Sequence, residues 1–137
     1  MNNSEQNIQA RDKAIRYIGI SKKTEYEVRQ KLKGLKITSS VIDEEIEYLK
    51  ELGYIDDIDY VKAYIKQCAK MQNYSIYEIT NKLLQKGIKA SIIDEEIDGL
   101  KESDYEQQVV EKLLNGKLKS YDEIKQKSYL YRRGFRV

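Results

Sequence analysis

A chain of 137 residues is one ordinary domain or a few small repeated modules, and its composition, 35% charged, 40% hydrophobic and free of proline, favours helix. The formal net charge of +2 is too near neutral to identify a partner. Histidine, the commonest general base and metal ligand, does not occur, and a single cysteine excludes an internal disulfide and fits a reducing cytosolic compartment.

The opening MNNSEQNIQARDK has no apolar core and does not read as a secretory signal, so residues 1–6 are expected to form a disordered leader. A first helix is predicted from about Asn7 to Ile18, with Ala10, Ala14, Ile15 and Ile18 inward and Gly19 as terminator. Thr24 and Glu27 form a T-x-x-E capping box that opens a second helix, which runs through Val28 and Leu32 to Gly34. A third starts at Ser39 or Ser40 and reaches about Leu52, with Ile42, Ile46 and Leu49 at helical spacing and Gly53 closing it.

Asp56 is a natural N-cap for a fourth helix, about Asp57 to Met71, whose inward stripe is Ile58, Val61, Ile65 and Cys68. Cys68 on that stripe reads as a packing residue, not a nucleophile. Ser75 with Glu78 opens the fifth helix, which ends at Gly87, and Ser91 starts the sixth. Ser103 with Glu106 opens the seventh, stopped by Gly116, and Ser120 with Glu123 opens the eighth, ending at Arg133-Gly134. Four S/T-x-x-E boxes and no sustained period-two alternation predict an all-α fold. No apolar run approaches the roughly 18 residues that a membrane span requires, and the chain reads as soluble and cytoplasmic.

The stretch Tyr74 to Lys101 has a partner in Thr24 to Lys50, which matches it without a gap at an offset of 51 residues that sets Thr24 on Ser75. Ile42-Asp43-Glu44-Glu45-Ile46 recurs unchanged as Ile93-Asp94-Glu95-Glu96-Ile97. Self-similarity at this period marks one repeated supersecondary unit. The expected architecture is therefore tandem three-helix repeats over 7–53, 54–102 and 103–137, the third lacking its last helix, in an elongated curved array. The incomplete third triplet should leave Leu130 and Phe135 poorly covered. A chain cut short explains this better than a covering partner.

Charge segregates within each repeat. Arg29, Lys31, Lys33 and Lys36 make the second helix and its exit turn basic, against Asp43, Glu44, Glu45, Glu47 and Glu51 on the third. Lys82, Lys86 and Lys89 stand likewise against Asp94, Glu95, Glu96 and Asp98. Acids in a first helical turn also suit the helix macrodipole, and consecutive carboxylates on a helix diverge too much for a metal site. A helix–turn–helix reader is excluded on charge, because its recognition helix would carry Asp43-Glu44-Glu45 to phosphates. From Lys112 onward the basic residues Lys112, Lys117, Lys119, Lys125, Lys127, Arg132, Arg133 and Arg136 are opposed only by Asp122 and Glu123. Beside Tyr121, Tyr129 and Tyr131 this end suits phosphate, single-stranded nucleic acid or an acidic protein surface. The same residues are also what a solvated helix carries, with Lys and Arg stems lying over apolar surface.

The chain resembles the RecX family through Glu25-Tyr26-Glu27-Val28-Arg29-Gln30-Lys31-Leu32, Leu52-Gly53-Tyr54-Ile55-Asp56-Asp57 leading into Tyr60, Lys82-Leu83-Leu84-Gln85-Lys86-Gly87-Ile88, and Tyr129-Leu130-Tyr131-Arg132-Arg133-Gly134-Phe135. The resemblance implies a small cytoplasmic regulator without catalytic residues or cofactor. Such a protein engages the RecA–single-stranded DNA filament, blocks its extension, and lowers RecA ATPase and strand exchange in recombination, DNA repair and the SOS response. Lys36 departs from the pattern: it stands where the second repeat has Gly87, so the turn there is expected to be built differently around the earlier Gly34. On this reading the partners are the RecA filament and, alternatively, single- or double-stranded DNA bound without RecA, by a monomer that touches no membrane. A plain protein–protein scaffold is the further alternative. The candidate binding residues are Arg29, Lys31, Lys33, Lys82, Lys86, Lys125, Lys127, Arg132, Arg133 and Arg136.

Overall fold

The computed structural model describes residues 2–136. Eight helices follow one another: α1 (Asn3–Ile20), α2 (Glu25–Gly34), α3 (Ser39–Glu51), α4 (Asp57–Met71), α5 (Ile76–Gln85), α6 (Ala90–Glu102), α7 (Tyr105–Asn115) and α8 (Glu123–Arg132), with no strand among the described residues. No described helix is long and apolar enough to cross a membrane. The contacts divide the chain into two compact units, one reaching Tyr60 and taking in Lys86–Ile88, the other comprising Val61–Gln85 and the chain from Lys89 on.

In the first unit α1 packs on α2 and α3, and α2 on α3. Ala10 and Ala14 let α1 approach closely, and the core is completed by Val28, Leu32, Ile37, Val41, Ile42, Ile46, Leu49 and Ile55. One buried charge crosses it. Glu45 is 1% exposed and takes two hydrogen bonds from Arg11, at 2.9 and 3.0 Å, and a third from Asn7 Nδ2 at 2.9 Å. Burying a carboxylate requires such partners, so Glu45 straps α1 to α3. In the second unit α5 packs on α6 and α6 on α7. Its buried set includes Val61, Cys68, Ile79, Leu83, Ile93, Ile97, Val109, Leu118, Leu130 and Phe135. Tyr105, also buried, donates to the Tyr74 carbonyl at 2.6 Å, and burial pushes its phenol up to about 12.

Several sequence expectations change. α1 starts at Asn3, where Asn2 accepts from the Glu5 amide, so the leader is helical from residue 3; Met1 lies outside the described residues. Gly19 sits inside α1 and does not end it. Ile58 is 48% exposed and does not belong to the inward stripe of α4. Asp43 and Glu45 lie beyond the first turn of α3, which holds no acid, so their partners and not the macrodipole account for them. Of the four capping boxes two form. α7 and α8 begin after Asp104 and Asp122 instead, because these residues directly precede the first helical position. Leu130 and Phe135 are each 3% exposed rather than uncovered; Ile124 and Tyr131, at 81% and 80%, are the bare groups of the last helix.

Lys36 does not force a different turn. It adopts φ 62°, and the Ile37 amide bonds the Leu32 carbonyl, as the Phe135 amide bonds that of Leu130 around Gly134 at φ 84°. Gly87 has φ 80° and an added constraint, since a Cβ there would fall 2.2 Å from Tyr26 Cβ. Lys36 therefore bears only the left-handed backbone penalty, whereas Gly87 is fixed by backbone and neighbour together. Urea unfolding should show Gly87→Ala destabilising by at least about 2 kcal/mol, and Lys36→Gly neutral or stabilising by about 1 kcal/mol.

Candidate partner-binding surface

The helices α2 and α5 begin in the same way, and the geometry of that start decides which cations are free. In the first unit Thr24 Oγ1 accepts from the Glu27 amide at 3.2 Å, while Glu27 accepts from the Thr24 amide at 3.0 Å. The same hydroxyl donates its proton to the Lys86 carbonyl at 2.6 Å, which leaves Thr24 fully buried. Lys86 Nζ lies 3.7 Å from Glu27 and over the Tyr60 ring, and Gly87 lies beneath Tyr26.

The second unit repeats the device. Ser75 Oγ accepts from the Glu78 amide at 3.1 Å and donates to the Arg133 carbonyl at 2.6 Å, and it too is fully buried. Arg133 grips Glu78 with two nitrogens, at 2.8 and 3.2 Å, and also donates to the Asn73 carbonyl and the Tyr129 hydroxyl. Gly134 lies beneath Tyr77, where a Cβ would come within 2.7 Å. Burial raises the Glu78 carboxyl, but the hydrogen bonds from Arg133 and from Ser75 outweigh it and hold the group below its ordinary value. The Glu78 hydrogen bond in turn raises Arg133.

The ten candidate residues separate on this basis. Arg133 and Lys86 are held in these two seats. Arg29 is bonded to Glu25 at 3.0 Å and to Asp43 at 2.7 Å. Lys82 lies over Tyr74, Lys31 over Tyr17, and Lys127 pairs along its helix with Glu123 at 3.1 Å. Lys33 is exposed on α2. Arg136 is exposed, and its backbone amide bonds the Glu106 carboxylate. Lys125 and Arg132 are exposed on α8 and have no carboxylate partner among the described residues.

Those two cations border one side of a ridge. At helical pitch Ile124, Ser128 and Tyr131 line one stripe of α8, with Lys125 and Arg132 along one side and Lys127 on the other. Tyr121, 41% exposed, stands just before the helix with Lys125 over its ring. Such a face, apolar at its centre and cationic at its margins, is complementary in charge to an anionic surface. Sequence reasoning named the cations and passed over Ile124. The available signal was helix register: position two of α2 and α5 is tyrosine, and in α8 it is isoleucine.

A family model described as the first three-helix domain of RecX matches residues 10–49. The regulatory protein RecX of Clostridium beijerinckii is 38% identical over 133 residues, covering 94% of this chain and 62% of the relative. That of Finegoldia magna is 34% identical over 135 residues, covering 93% and 66%. The chain thus spans less than two thirds of the length of these relatives. The crystal structure of RecX from Lactobacillus salivarius superimposes with a TM-score of 0.82 at 25% identity, covering 98% of this chain and 91% of that one.

Because the folded-state carboxyl of Glu78 lies below its ordinary 4.5, the stability it supplies is complete above that value and is lost as pH falls through the lowered one. Glu78→Gln should therefore cost about 1.5–3 kcal/mol at neutral pH, with the gap to the parent closing on acidification below about pH 4. Urea midpoints across that range test this, and a gap independent of pH would refute the assignment.

Proposed function

The chain belongs to the RecX family of regulatory proteins, and on that premise we propose that it is a non-catalytic, monomeric cytoplasmic regulator that binds the RecA–single-stranded DNA filament and lowers its ATPase and strand exchange. The observation that carries the reading is the outer face of α8. There Lys125 and Arg132 are exposed and have no carboxylate partner among the described residues, while the cations of the two seats are consumed internally. A helix used only for packing would bury its large apolar residues; α8 keeps Ile124 and Tyr131 bare beside those cations. On this reading the modules of the regulator are the repeats 7–53, 54–102 and 103–137. Residue chemistry supports regulation over catalysis: the buried thiol of Cys68 is raised by desolvation, which keeps it protonated and unreactive.

Direct nucleic-acid binding is the competing reading, favoured by the same cations beside Tyr131. It predicts binding to bare DNA with steep salt dependence. Titrating the chain into a single-stranded-DNA-dependent RecA ATPase assay, with a parallel measurement on bare DNA, separates the two. The proposal expects ATPase to fall at concentrations where bare DNA is unbound. An unchanged ATPase refutes it, and a fall that tracks occupancy of bare DNA transfers the effect to the DNA-binding reading.

A further inference from the structure

The three ten-residue helices α2, α5 and α8 occupy corresponding places, and their first positions compare one by one. The residue before the helix is Thr24, Ser75 and Asp122. The second helical residue is Tyr26, Tyr77 and Ile124, and the third is Glu27, Glu78 and Lys125. At α2 and α5 these residues seat a turn: the buried hydroxyl donates to its carbonyl, the tyrosine covers its glycine and the glutamate holds its cation. At α8 each of these functions is removed or inverted. The Asp122 side chain caps the Lys125 amide at 2.9 Å, but a carboxylate has no proton to give a carbonyl and repels one. Lys125 would repel the Lys or Arg that the seated turns carry. Ile124 replaces the ring that lies against glycine.

A further turn of the kind seated twice in this chain, including one from a second copy, is therefore rejected at the start of α8 by charge and by hydrogen bonding. Yet the surface there is not polar and closed. Ile124 is 81% exposed and Tyr131 80%, with Lys125 and Arg132 beside them lacking carboxylate partners among the described residues. Nucleic acid fits poorly as well, because Asp122 and Glu123 stand at the same end and would meet phosphates. What complements all of these groups is a protein surface that is apolar at its centre and acidic on one side.

We propose that the outer face of α8 is a docking surface for an acidic protein segment that lays an apolar side chain over Ile124 and Tyr131 and offers carboxylates to Lys125 and Arg132. Those two cations are seven residues apart, about 10 Å along the helix, so the partner's carboxylates carry a matching spacing, as on residues i and i+7 of a helix. The proposal rests on the reading of the chain as a filament regulator and places the acidic segment on the recombinase protein rather than on its DNA. Apolar contact at the centre supplies affinity, and the flanking cations supply orientation and rate of encounter.

The test is equilibrium binding of the labelled chain to RecA–single-stranded DNA filaments and to bare single-stranded DNA of the same length, with sedimentation of the free chain. Ile124→Ser removes the central contact at an exposed position without altering charge. It is expected to weaken filament binding about tenfold and to leave bare-DNA binding unchanged. Lys125→Glu combined with Arg132→Glu is expected to weaken filament binding further, whereas Lys66→Glu, an exposed cation on α4, stays within about twofold of the parent. Circular dichroism establishes that each variant is folded. Parent-like filament binding by Ile124→Ser overturns the docking surface while leaving filament regulation intact. Equal losses on filament and bare DNA overturn it in favour of nucleic acid, and dissociation of a dimer by Ile124→Ser overturns it in favour of a second copy. A parent chain that fails to bind filaments removes the regulatory reading, and the docking surface with it.

Discussion

A single hydroxyl performs two tasks at the start of α2 and again at the start of α5, and the packing around each depends on it. Thr24 and Ser75 each accept the amide of the third helical residue and donate to a main-chain carbonyl 62 and 58 residues further on. Only a side chain that is both donor and acceptor can do this, so of the usual N-cap residues serine and threonine qualify and aspartate does not. The proton that would otherwise face water satisfies a carbonyl at the end of another helix, an atom that has no intrahelical partner. Cap and turn thus resolve each other's unsatisfied groups, and the hydrogen bonds offset the desolvation of the two wholly buried hydroxyls.

The side chains around the hydroxyl follow from it. Drawing the turn onto the cap brings its backbone against the second residue of the helix, and a tyrosine there leaves no room for a Cβ on Gly87 or Gly134. The third residue is a glutamate already bonded to the cap's amide, so its second interaction falls to Lys86 or Arg133 at the turn. Arg133 uses the planar fork of its guanidinium to take both carboxylate oxygens, a geometry that Lys86, reaching Glu27 at 3.7 Å, cannot copy. The two seats are alike in plan and unequal in strength.

The helical architecture was legible in the sequence because periodicity, caps and the 51-residue repeat agreed. α4 and its Asp56 cap, for example, follow from local pattern alone, and the Asp59 amide does bond that carboxylate. What the pattern concealed was every decision made by contacts distant in the chain. Thr24, Ser75, Ser103 and Ser120 present the same S/T-x-x-E motif, but only the first two meet a carbonyl from far along the chain, and only those two form boxes. The identical pentapeptides at 42–46 and 93–97 place Glu45 and Glu96 in different settings. Glu45 is buried because Arg11 and Asn7 reach it from α1, and the residue 51 positions after Arg11 is Lys62, which is exposed. Leu130 and Phe135 looked bare on the repeat count, yet each is 3% exposed.

Binding surfaces in a chain this highly charged are defined by which charges the fold leaves over. Basic residues are spread along the chain, but the fold has already given Arg11 to Glu45, Arg29 to Glu25 and Asp43, Lys50 to Glu25, and Arg133 to Glu78. Apart from Arg29 with Glu25, which lie one turn apart on α2, each of these pairs holds one helix or turn against another, and redirecting any of them to a partner would expose the carboxylate it neutralises to an unbalanced environment. Lys125 and Arg132 carry no such obligation among the described residues, and they sit on the helix whose start has lost the hydroxyl, the tyrosine and the glutamate that seat a turn at α2 and α5. Absence of the seat and absence of carboxylate partners for the cations occur together at α8, so the helix whose start differs from those of α2 and α5 is also the one that exposes charge beside apolar surface among the described residues.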